Sequence, residues 1–158
     1  MRSETMIRRA IGVVVFLGAV GSASVAHAQI GVGTWERTDK GGIGMTMTVS
    51  VCCNGGRRLV YHIPSIGGQP EATMSVDSPF NGSDVPALVG GKPSGETMAI
   101  TRVDDRHYNA VLKMNGQPFG TSSATLSADG KTLTVESAMS MGAGGAPGSK
   151  QTEIWVKK

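Results

Sequence analysis

The sequence predicts an all-β protein, an antiparallel up-and-down barrel of about eight strands, and three observations carry that reading. Apolar and polar residues alternate with period two along most of the chain beyond Gly44. Glycine-containing turns interrupt the alternation at short intervals, the pattern of strands joined by hairpins. The composition agrees: 23 glycines, many Ser and Thr, 4% aromatic residues and no segment with a sustained helical period.

The chain opens MRSETMIRRAIGVVVFLGAVGSASVAHAQ, with Arg2, Arg8 and Arg9 ahead of an apolar run from Ala10 to Val20. That run is shorter than the roughly 20 apolar residues a spanning helix needs. Ala26-His27-Ala28 offers a cleavage site after Ala28, so residues 1–28 read as a secretory signal peptide and 29–158 as a single domain. The expected location is the periplasm or the medium. The mature chain carries no other segment long enough to be a transmembrane anchor, and no cysteine stands at the cleavage point to take a lipid.

The leader holds three arginines and Glu4, and so accounts for two of the three net positive charges. A near-neutral mature chain with singly scattered charges gives no electrostatic case for nucleic acid.

The strands follow in order. Met45, Met47, Val49 and Val51 share one face, opposite Thr46, Thr48 and Ser50. After the Asn54-Gly55-Gly56 turn, Leu59, Tyr61 and Ile63 continue the rhythm, and Ala72, Met74 and Val76 make a third run. Residues 77–95 contain three prolines and read as a long connection, with at most a short strand near Val85–Val89. Met98 and Ile100 lead to a tight turn at Asp104-Asp105, and Tyr108, Ala110, Leu112 and Met114 return from it. Asn115-Gly116 and Asp129-Gly130 are hairpin signals on either side of a strand near Phe119–Leu126. Leu133, Val135 and Met139 follow, then the loop MGAGGAPGS, and Ile154 and Val156 close the chain. Closure of the meander removes exposed edges. A two-sheet sandwich has the same local signals.

Gly33-Thr34-Trp35, just after the leader and ahead of the meander, matches the G-x-W that opens the first strand of lipocalins and the related fatty-acid-binding proteins. With ITRVDDRHY and TLSADGKTLTVES downstream, the mature chain resembles small secreted bacterial lipocalin-like proteins. The resemblance implies a calycin-type barrel with Trp35 plugging one end and a cavity for a small hydrophobic ligand. The closing strand, TEIWVKK, has no Arg-x-Tyr pair of the kind by which fatty-acid-binding proteins hold a carboxylate.

The expected cavity lining is Trp35, Met45, Met47, Tyr61, Met74, Met98, Tyr108, Leu112, Met114 and Met139. Methionine is flexible and polarizable, which suits a wall that adapts to apolar ligands. The competing reading is a solid core, because a small barrel can be filled by its own side chains; the protein would then be an envelope interaction or structural protein without a ligand.

For the adjacent Cys52 and Cys53, the oxidising compartment permits a bond between them. The alternatives are an apolar filler with an exposed thiol, or a redox role that lacks a C-x-x-C. Strand parity places Cys53 inside with Val51 and Cys52 outside.

His62 and His107 read as outward-facing, and no metal-ligand spacing joins them to Cys52, Asp104 or Asp105; Asp104-Asp105 reads as turn chemistry. No G-x-S-x-G elbow and no nucleotide-binding glycine loop occurs. The expectation is a non-enzymatic binding module without a cofactor or metal.

Overall fold

A computed structural model of the protein describes residues 29–140 and 148–158. The leader assigned to 1–28 and most of the glycine-rich loop at 141–149 fall outside the described residues. Ten strands form: β1 (Gly33–Arg37), β2 (Thr46–Cys52), β3 (Gly56–Ile63), β4 (Ala72–Ser78), β5 (Asn81–Val89), β6 (Lys92–Arg102), β7 (His107–Met114), β8 (Gln117–Leu126), β9 (Thr132–Met139) and β10 (Ser149–Lys157). Each pairs antiparallel with the next, and β10 returns to β1 with Arg37 opposite Trp155, so the sheet closes into an up-and-down barrel.

The number is ten rather than about eight: the G-x-W segment adds β1 to the eight alternating runs, and residues 77–95 add β5. That stretch forms all of β5 and the start of β6, joined at Gly90-Gly91. Both glycines have positive φ, 56° and 78°, which a two-residue hairpin turn requires. The prolines that argued against a strand lie where the ladder is already irregular. Pro86 faces Thr97 and Pro93 faces Leu88, with register shifts between Asn81 and Asp84 and between Pro86 and Leu88. At a bulge the missing proline N–H costs little.

Chain direction gives the barrel two different ends. At one, residues 29–31 fold over the opening ahead of β1. Ile30 is buried there; its N–H donates to the Tyr108 hydroxyl at 3.3 Å, and its carbonyl accepts from Arg57 Nε at 3.1 Å. Arg57 Nη2 also donates to Gln29 Oε1 at 2.7 Å, and Trp35 Nε1 donates to the Gly31 carbonyl at 3.0 Å. Trp35 is fully buried, and Phe80 stacks at a tilt on Tyr108, 5.2 Å between ring centroids. These contacts make a largely apolar plug, and among the described residues no buried side-chain N or O atom lacks a hydrogen-bond partner, as burial demands.

Val51, expected on the inner face, points out instead: it is 66% exposed, because the β2–β3 hairpin runs past the barrel rim. Ile154 and Val156 face solvent, and Glu153 and Trp155 take the interior. The pairing of β10 with β1 sets this parity, since Trp155 and Arg37 stand opposite one another and share the inner face. Among the described residues no helix is long and apolar enough to cross a membrane.

Candidate functional site: an interior cavity

The barrel holds a cavity of about 310 Å³ bordered by side chains from β2, β3, β4 and β6 to β10, by Met45 and Phe80 just ahead of β2 and β5, and by Ile30 of the plug. It exists because several inward positions are small. Ala110 on β7, Ser122 and Ala124 on β8 and Ser137 on β9 all border it and stop well short of the opposite wall. Ser122 and Ser137 face each other across two strands and satisfy their hydroxyls mutually, Oγ to Oγ at 2.9 Å. The rest of the wall is mainly apolar, which suits a small apolar molecule, and the volume falls at the low end of the range typical of ligand sites, roughly 300–1,000 Å³.

Burial changes along the axis. Leu59, Phe80, Tyr108 and Leu133, near the plug, are buried, whereas Met45, Met74, Glu96, Phe119, Met139 and Glu153 toward the other end keep accessible surface. The approach to the cavity is therefore from the end away from the plug.

Eight of the ten residues expected to line a cavity border it: Met45, Met47, Tyr61, Met74, Met98, Tyr108, Leu112 and Met139. Trp35 does not, because it is packed into the core beside the plug. Met114 does not either; it precedes the Asn115-Gly116 turn and stands 41% exposed at the end of the wall. Cys52 and Cys53 are far from the cavity, at the β2–β3 turn, and their sulfurs are bonded to each other. Cys53 sits in a single 3-10 turn (Cys53–Gly55) rather than on an inward strand position, so the parity expected of the pair does not apply. His62 and His107 are exposed, and Asp104 accepts the backbone N–H groups of Arg106 and His107 at 2.8 and 2.9 Å, the bonding of a turn.

Sequence reasoning missed the acidic part of the wall, Glu153 and Glu96, and the Arg37–Asp39 pair behind Glu153. Arg37, on the inner face of β1, is only 6% exposed. Its Nε and Nη2 donate to the two oxygens of Asp39 at 2.7 and 2.9 Å, and Nη1 lies 3.3 Å from Glu153 Oε1. Glu153 Oε2 accepts from Trp155 Nε1 at 3.0 Å, and the Trp155 ring meets Tyr61 edge-on at 5.7 Å. The Arg37 hydrogen bond pulls the Asp39 carboxyl down to about 2, and Asp39 in turn raises Arg37. Burial, and then the charge of Glu153, push the Tyr61 hydroxyl well above its ordinary range, so it stays protonated.

A second carboxylate, Glu96 at the start of β6, borders the cavity with no hydrogen bond or ion pair to its side chain among the described residues; burial raises its pKa. The signal for Glu153 was the alternation Glu153-Ile154-Trp155-Val156. Either parity was open until the pairing partner was known. Among the described residues no group of three or more His, Cys, Asp or Glu side chains is placed to hold a metal ion. No protein-family model and no curated protein matches this chain.

Proposed function

We propose that this protein is a secreted or periplasmic lipocalin-like binding protein that holds a small hydrophobic molecule inside its barrel, without catalysing a reaction on it. One observation carries the reading: a closed barrel plugged at one end retains a cavity of about 310 Å³ with a largely apolar wall. A barrel of purely structural purpose gains from filling such a space, because an empty cavity costs dispersion contacts. The leader pattern at residues 1–28 supports export, and the G-x-W at Gly33–Trp35 supports the lipocalin-like assignment.

The test is saturable uptake of a neutral apolar fluorophore such as N-phenyl-1-naphthylamine, followed through quenching of Trp155 in the cavity wall. The wild type is expected to bind one equivalent. Ala124→Leu and Met98→Trp, each adding bulk to the wall, are expected to weaken binding at least tenfold while the fold is kept. A folded wild type that takes up no probe refutes the proposal.

A further inference from the structure

Resting on that reading, we propose that the cavity selects a hydrophobic amine or quaternary ammonium compound over a fatty acid or other carboxylate. The juxtaposition behind this is an acidic and aromatic corner formed by Glu153, Tyr61 and Trp155 on an otherwise apolar wall, with Glu96 as a second acid on the same cavity.

The charges on the wall are of one sign. Two carboxylates border the cavity, and among the described residues no Lys, Arg or His does. The interior cation, Arg37, stands behind Glu153 and is already engaged: Asp39 takes Nε and Nη2, and Nη1 turns to Glu153 at 3.3 Å and to Met45 Sδ at 3.6 Å. Arg37, Asp39 and Glu153 together carry one net negative charge. An entering carboxylate would find no free guanidinium and would meet like charge in a partly desolvated site, where repulsion is weakly screened.

Two further cations point toward the plugged end, and both are occupied. Arg57 bonds the carbonyls of Ile30, Gly55 and Gly56 and the Gln29 side chain. Arg102 bonds the Asp104 carbonyl and the Asp105 carboxylate. Of the lysines at the approach end, Lys40, Lys92 and Lys150 are exposed, where salt and water screen them, and Lys113 is paired with Asp84 at 2.6 Å.

For a cation the same corner is favourable on two counts. Glu153 keeps acceptor capacity beyond its bonds to Arg37, Trp155 and Gln151, since a carboxylate offers about four lone-pair sites. The Tyr61 and Trp155 rings, held edge-to-face beside it, present π surface that attracts an ammonium group. The Tyr61 hydroxyl, without a hydrogen bond among the described residues, is a further acceptor for an amine N–H. The alkyl or aryl body of such a ligand would lie along Met47, Met98, Leu112 and Leu133.

The experiment uses three probes of one chain length at pH 7: decyltrimethylammonium, decanol and decanoate, each below its micellar concentration. Each displaces N-phenyl-1-naphthylamine from the mature protein. The expected order is ammonium tightest, decanol intermediate and decanoate at least tenfold weaker than the ammonium. Glu96→Gln, whose carboxylate supports no structural bond, should narrow the ammonium-to-decanoate ratio by about threefold. Glu96→Gln with Glu153→Gln should bring it near one. Decanoate binding as tightly as the ammonium, or a ratio unmoved in the double variant, overturns the inference and leaves the binding proposal standing. Failure of all three probes and the fluorophore to bind refutes the binding proposal itself.

Discussion

Replacing Asp39 by asparagine removes one charge and keeps the shape, and its cost can be worked from the structure. Asp39 takes two hydrogen bonds from the buried Arg37 guanidinium and one each from the N–H groups of Gly41 and Ile154, both at 3.1 Å, so it ties the β1–β2 loop to β10. These bonds, led by that of Arg37, bring its carboxyl to about 2 from an ordinary value near 3.8. At 1.36 kcal/mol per unit that drop corresponds to about 2.5 kcal/mol, reduced to about 2 because the side chain keeps some contact with water. The sign follows from linkage. A folded-state pKa below the unfolded one gives stability that is complete above the unfolded value and disappears as pH falls toward the folded value.

Urea unfolding of wild type and Asp39→Asn should therefore differ by about 2 kcal/mol from pH 7 down to about pH 5. The gap should shrink below about pH 4, be small by about pH 2 and vanish near pH 1. Asp77, Asp104 and Asp129 are also depressed by their partners, but they are the same in both proteins and cancel in the difference. A gap under about 0.5 kcal/mol at pH 7, or one that keeps its size at the acid end, would refute the assignment of Asp39 as the anchor of Arg37.

Three further outcomes are expected. A methyl group on Gly56 would run into the Ser78 carbonyl and lie 2.6 Å from Pro79 Cα, both backbone, so Gly56→Ala should cost about 3 kcal/mol or more in chemical unfolding. Gly55→Ala meets open space and is strained only by its φ of 85°, so its cost should stay near 1 kcal/mol; equal effects would count against the packing argument. Joining Cys52 to Cys53 closes the shortest loop a chain can make, so reduction should change the unfolding free energy by less than about 1 kcal/mol, and intact mass should show the pair two hydrogens lighter before reduction than after. Ile30→Asp puts an unpaired carboxylate under the plug beside Trp35 and Leu59; it should lower stability by about 3 kcal/mol at pH 7 and recover part of that on acidification, checked by thermal melts at pH 7 and pH 4.

Local chemistry made much of the fold legible. Period-two alternation placed Met47, Leu59, Tyr61, Val76, Tyr108 and Leu133 on one face, and Asn115-Gly116 fixed a hairpin because both residues accept the positive φ, 50° and 82°, that the turn imposes. These are short-range rules, sufficient for an antiparallel barrel in which each strand meets its sequence neighbour. They failed where a long-range partner changes the meaning of a residue. Pro86 and Pro93 read as strand breakers until bulges between β5 and β6 absorb their missing donors. The parity of Glu153-Ile154-Trp155-Val156 stayed open until closure of β10 on β1 turned Glu153 inward to Arg37.

The amino-acid order by itself determined strand rhythm, turn chemistry and an interior rich in methionine. Tertiary structure decided whether that interior is filled and what charge it presents. Cavity volume is a sum over positions as distant in sequence as Met47, Ala110, Ser122 and Ser137, and the sign of the wall depends on which charges the closed barrel pairs; neither quantity exists until the sheet has closed.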